Sequence, residues 1–384
     1  GNGSTITNDI DFANDGTLTL GQSGGTQTYN GGLDTSSVGS TVTLNGTIAT
    51  SNDAVTFGAV TLGSATTIDT NATNTTGDIT IGAVTGGSNN LTLTTGDNVA
   101  NSDITANGAI SGLGNLTLAD VGGTATFSAN VAAAALSADA TVANIAFTGG
   151  TNTFSAASTL ANDGTLAFGD ATGDSFTFNG GLTTSDVGGT VTLNTSISSS
   201  NDALVFGAIT LGNNVTLDTN ATNTTGDLTI GAVTGGSNTL TLTTENNIAN
   251  ADITASGNIS GVTTLTLQNV GGTATLSGDV DVATLAIGNT VANLAFTGNG
   301  STVTNDIDFA NDGTLQLGDA TGDTLTFNGG LDTSSVGSTV TLNGSIITSN
   351  DAVTFGAVTL GSATTINASS SDTTGDITIG AVTG

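Results

Sequence analysis

Carboxylates are nearly all of the ionisable chemistry in this sequence. Its 384 residues include 31 Asp and Glu and one Tyr, but no Lys, Arg, His or Cys. Two carboxylates facing each other across a groove can cleave or eliminate at a glycosidic bond, one as acid and the other as nucleophile or base. By spacing, the candidates are Asp9 with Asp11, Asp53, Asp97 with Asp103, and Asp218. Against catalysis, Asp53 recurs as Asp202 and Asp351 at the same place in a long repeat. An active site is expected once, whereas a corner residue recurs in every copy. No cation is present to bind an acidic sugar, and Tyr29 is the single residue other than Phe that could stack on a ring. Ser-His-Asp and Cys-His nucleophiles are excluded outright. The expectation is a protein that is not an enzyme, with no catalytic residues.

Carboxylate and carbonyl oxygens also suit Ca²⁺. The densest clusters are Asn8, Asp9 and Asp11, and their counterparts Asn305, Asp306 and Asp308. They are too thin to complete a coordination shell, and the calcium-binding nonapeptide pattern G-G-x-G-x-D is missing. We therefore expect no cofactor and no defined metal site. Weak, non-stoichiometric association with Ca²⁺ or other divalent cations is expected, with the carboxylates otherwise solvated in turns. Without Cys there is no disulfide framework and no thiolate metal site.

Threonine offers a second kind of surface. Taking the middle residue of successive apolar-x-apolar phrases gives Thr19, Thr43, Thr67, Thr92 and Thr117, and in the next copy Thr192, Thr216, Thr241 and Thr266, a rank interrupted by Ala146, Ala167, Ala295 and Gln316. Thr often stands two residues earlier as well, as at Thr17, Thr41, Thr190, Thr239 and Thr264. A flat T-x-T array resembles ice-binding faces and makes a binding module the alternative reading. The plainer account is that Thr is a good outward strand residue whose side chains pair across neighbouring strands.

The formal net charge is −31 with only 8% of residues charged. Hydrophobic residues make up 36% and mean hydropathy is +0.19, which argues against disorder. The acidic sign excludes a phosphate-backbone binder and disfavours anionic membrane surfaces, so neither nucleic acid nor membrane insertion is expected. The absence of Lys and Arg removes trypsin-type cleavage sites, and the absence of Met and Cys removes oxidisable sulfur. Both suit an extracellular protein. A chain without Met is also expected to be a window on a longer protein.

The elements that must carry these residues are short strands. The stretch 54–87 contains the phrase GAVT twice, opening at Gly58 and at Gly82, and the pair recurs with the same offset as Gly207/Gly231 and Gly356/Gly380. Above this small period lies a 149-residue one: Asn30, Asn179 and Asn328 each open an N-G-G triplet. Apolar residues alternate with Thr, as half-buried strands require. Gly, Asn, Asp and Ser stand between them as corners. Coils too short to bury their own face must stack on neighbours. The fold class expected is all-β: one continuous parallel β-solenoid over residues 1–384, of about 15 coils of about 25 residues, six coils per repeat, with two strand faces. Repeat copies are drawn at 1–86, 87–235 and 236–384. At about 4.8 Å per coil this is a rod on the order of 70 Å. The Ala-rich run 131–136 is expected as a protruding loop or a flattened corner.

The string TTGDITIGAVTGGSNNLTLTT at 75–95, and its partner from Thr224 to Thr244, resembles the stalk repeats of filamentous-haemagglutinin-like and related giant bacterial surface proteins. That resemblance implies a right-handed parallel β-helix, secretion, and a role as adhesin or fibrous stalk; no receptor-binding motif is carried over. The function expected is structural: an extracellular filament or cell-surface stalk, self-associating along or between fibres and contacting the cell surface or matrix.

Overall fold

A computed structural model describes residues 2–74, 77–96, 99–223, 226–245, 247–368 and 374–384. They contain strands, turns and bends and no helix. The chain divides into two units, Gly1–Thr195 and Ser196–Gly384. Each is a stack of turns in which short strands pair in parallel with their counterparts one turn away. This is the parallel β-solenoid that the repeats predict.

The coil length differs from the expectation. About 17 turns lie about 22 residues apart, in place of 15 coils of 25, and each turn carries three strand files instead of two. The stretch 54–69 shows why. It is a single turn holding three alternating phrases: Val55–Phe57, Val60–Leu62 and Thr66–Asp69. Val55 pairs with Ile79, Val60 with Val84, and Thr66 with Leu91. Phrases on all three files look alike, so the spacing between similar phrases does not reveal which pairs stack. Thr43 pairs with Thr61, the nearer of two similar phrases, and Thr67 pairs instead with Thr47.

The 149-residue repeat is consequently not a whole number of turns. In the first unit one file runs Leu33, Val55, Ile79, Ile104, Ala125, Ile145, Leu166, Val191, which is seven turns. Val42 belongs to the next file along, with Leu18 and Val60. Its counterpart in the next copy is Val191, on the file of Leu33. The repeat therefore spans seven turns less one strand, or six and two-thirds turns, and equivalent residues move round by one file per copy.

Inward residues form the core. Ile48, Ile68, Leu93 and Leu118 are buried along one file. Burying each such side chain contributes roughly 1.5–3 kcal/mol. In the first unit a run of rings joins the turns: Phe127 stacks on Phe147 at 4.9 Å and Phe147 on Phe168 at 6.0 Å, with Phe176 edge-on to Phe147 and Phe168. The Ala-rich run is not a protruding loop. Val131–Ala138 is one strand, in register with Ile110 at one end and with Asn115–Leu118 at the other across a bulge. Val280–Ile287 runs through the same bend in the second unit with fewer alanines. At the corners backbones close in: a Cβ on Gly82 would lie 2.8 Å from the Gly58 carbonyl oxygen, so only glycine fits.

Candidate functional site

The first unit carries an open groove of about 390 Å³ lined by Asp9, Asp11, Asp34 and Asp53. Strands place them. Asp11 and Asp34 are outward register partners in adjacent turns, ending Ile10–Asp11 and Leu33–Asp34. Gly31 and Gly32 allow the close approach of Asp9, since a Cβ on Gly31 would stand 2.2 Å from the Asp9 nitrogen. The Asp34 carboxylate accepts the Ser36 N–H at 2.7 Å. Asp34 was not among the sequence candidates. The signal for it is Asp332, which pairs with Asp308 in the second unit just as Asp34 pairs with Asp11.

The second unit repeats the groups as Asp306, Asp308, Asp332 and Asp351. In the middle copy the equivalent positions are Ala157, Thr159, Thr183 and Asp202, so one carboxylate of four remains. Asp53, Asp202 and Asp351 share a backbone role. Each offers its carbonyl oxygen to a buried hydroxyl three residues earlier: Thr50, Ser199 and Thr348. Among the described residues no group of three or more carboxylates is arranged to hold a metal ion. The clusters Asn8/Asp9/Asp11 and Asn305/Asp306/Asp308 lie on exposed strand edges and turns. Chemically the groove can concentrate cations by charge alone, with no cationic side chain in the sequence to compete for them.

Asp103 is remote from that groove in sequence and is engaged in holding turns together; Asp97 lies outside the described residues. The Asp103 carboxylate accepts the Thr124 N–H at 2.7 Å from the next turn, and its own N–H donates to Asp78 at 2.9 Å. Asp227, Asp252 and Thr273 repeat the ladder in the second unit at 3.0 and 2.7 Å. Asn side chains do the same work at other corners: Asn144 accepts from Thr165, Asn130 from Thr151 and Asn293 from Thr314. Sequence reading assigned Asn and Asp to corners as residue types, weighed Asp103 as a catalytic candidate, and missed that these side chains bond between turns. The available clue was an Asx residue standing one turn before each N–H in need of an acceptor.

Asp218 is half-buried at the end of Val215–Asp218. Burial pushes its pKa up to about 6, the Asn220 N–H opposes that shift, and the charge of Glu245 adds to it. Burial and the neighbouring Asp323 carboxylate raise Asp319 as well. The Asp323 carboxylate accepts the N–H groups of Asp319 and Ala320 at 2.7 and 2.8 Å, closing a tight loop.

The threonines divide among files. Thr19, Thr43, Thr61 and Thr85 follow one, while Thr67, Thr92 and Thr117 follow another and continue into Ser137 and Thr159. Beside the first file the position two residues earlier is Thr41, then Ala59 and Ala83. Thr192 follows the third, the file of Leu33, after Ala146 and Ala167. The single T-x-T face drawn from spacing is therefore distributed over three faces.

No family model matches the chain, and neither a curated protein nor a solved structure matches it.

Proposed function

We propose that this chain is a structural segment, a stretch of solenoid serving as an extracellular filament or as the stalk of a large cell-surface adhesin. It is not an enzyme, and its partners are further copies of itself, the cell surface or the surrounding matrix. One observation supports this reading above the others: the carboxylates and amides at the corners are spent on hydrogen bonds from one turn to the next. Side chains that stitch turns give mechanical continuity, and the same device recurs copy after copy. Outward Thr and scattered carboxylates keep such a surface solvated, and the lack of Lys and Arg denies proteases of trypsin type a site.

The test is electron microscopy and fibre diffraction of the assembled protein on its native surface. Thin filaments are expected, with an axial spacing of about 4.8 Å per turn. A modulation of about 32 Å should overlie it, from six and two-thirds turns per repeat. Compact monomers that release a product from polysaccharide, or no filament at all, would sink the proposal.

A further inference from the structure

We infer that each of two corner sites, one in each unit, holds a buried water molecule bridging an Asn carbonyl oxygen and a Thr hydroxyl from adjacent turns. The pairs are Asn162 with Thr184 and Asn311 with Thr333. All four side chains are buried, at 0 to 1% exposure. Asn162 Oδ1, Thr184 Oγ1, Asn311 Oδ1 and Thr333 Oγ1 nevertheless have no hydrogen-bond partner. The two orphans of each pair come from neighbouring positions. Ser158 and Thr159 pair with Leu182 and Thr183, which sets Thr184 over Leu160, two residues before Asn162. Ile307 and Asp308 pair with Leu331 and Asp332, which sets Thr333 over Phe309, two residues before Asn311. The chain closes over both corners in the same way, with Gly188 N–H donating to the Asn162 carbonyl at 2.8 Å and Gly337 N–H to that of Asn311 at 2.9 Å.

The amide orientation is determined by its other end. Asn162 Nδ2 donates to the carbonyls of Ala143, Gly164 and Thr165 at 3.1, 3.2 and 3.0 Å, and Asn311 Nδ2 donates to that of Thr314 at 2.9 Å. Oδ1 thus faces away from these carbonyls and can only accept. The Thr hydroxyl has a proton to give. A water that donates to Oδ1 and accepts from Oγ1 satisfies both, with one proton left for a backbone carbonyl. Buried polar atoms in folded proteins are almost always satisfied, by ordered water where the protein offers no partner. Four orphans recurring at equivalent positions of successive copies are not a local accident. In the first copy Thr35 Oγ1 is orphaned in the same manner, while its Asn14 is exposed.

Replacing both hydroxyls (Thr184→Val with Thr333→Val) in the full chain tests the inference by the sign of its effect. Valine keeps the shape and the β-branch. If water bridges each pair, the substitution strands Asn162 Oδ1 and Asn311 Oδ1, and the melting temperature falls by about 2–4 °C. The number of long-lived internal waters, counted by oxygen-17 relaxation dispersion of the solvent, falls by two relative to the parent. If the hydroxyls are truly unpartnered, removing them relieves a penalty. The melting temperature then holds or rises with the water count unchanged, and the inference is overturned. Should the variant not fold, a high-resolution crystal structure of the parent chain decides instead. Density about 2.7–3.0 Å from both oxygens supports it, and an empty or closed corner refutes it. Stability that depends on which monovalent cation is present would assign the site to a cation and also refute it.

Discussion

Asp218 carries the clearest electrostatic strain at the scale of single residues. Burial and Glu245 lift its pKa to about 6 in the folded chain, from an ordinary 3.8. Between these values the folded state holds a proton that the unfolded state has released, so stability falls as pH rises through that window and is level above it. Solvent still reaches the group, so the effect is discounted to about 1 kcal/mol. Asp218→Asn should therefore melt higher than the parent at pH 7, with the difference closing by about pH 4. Thermal denaturation across that range checks it; a difference that grows on acidification would reject the account. Asp103 stabilises instead. Asp103→Ala leaves the Thr124 N–H without its acceptor and should cost about 1–2 kcal/mol, while Asp103→Asn keeps an acceptor oxygen and should cost far less. Urea unfolding of the two variants separates a bonding role from a merely acidic one.

Strands and corners are the next scale. Phe147 lies between Phe127 and Phe168 and touches Phe176 by its edge, so it couples three successive turns. Phe147→Ala should cost about 3–5 kcal/mol. Because a solenoid's stability is local, the loss should appear by hydrogen exchange as opened amides near residues 125–178, with remote turns still protected. Uniform loss of protection over the whole chain would contradict local coupling. Gly82→Ala tests a corner. The added methyl meets a backbone oxygen of Gly58 at 2.8 Å, which cannot swing aside like a flexible side chain, so the variant should be destabilised more than an ordinary surface Gly→Ala change. A melting temperature equal to the parent's would show that this corner has room.

Charge belongs to the whole molecule. Thirty-one carboxylates face no cationic side chain, so self-repulsion opposes folding in each unit and falls with screening. The Debye length shrinks from about 30 Å at 0.01 M salt to about 3 Å at 1 M. Melting temperature should accordingly rise with NaCl. MgCl₂ or CaCl₂ should match NaCl at equal ionic strength apart from a modest divalent excess, because no group of three carboxylates is placed to hold a metal ion among the described residues. Calorimetric titration showing saturable, stoichiometric Ca²⁺ uptake would refute that. Scale also changes how a repeat is seen from outside. The first copy ends one strand short of a whole number of turns, so the position equivalent to Val42 returns at Val191 on a neighbouring file.

Alternation of Thr with branched apolar residues, Gly and Asx at corners, and a long exact recurrence were enough to establish a parallel solenoid from the sequence. A chain with that pattern has no other way to bury its short strands than to stack them. The same pattern also marked Asp53, Asp202 and Asp351 as corner residues, where Thr50, Ser199 and Thr348 now account for them. The number of residues per turn was beyond its reach. Three files share one vocabulary, so Thr43 could equally precede Thr61 or Thr67, and only closure of the turn chooses. For the same reason the sequence could not gather Asp9, Asp11, Asp34 and Asp53 into one groove or divide the threonines between faces. Side-chain direction is local and shows in the order of residues. Which turn lies above which depends on contacts between residues far apart along the chain, and the tertiary structure alone decided it.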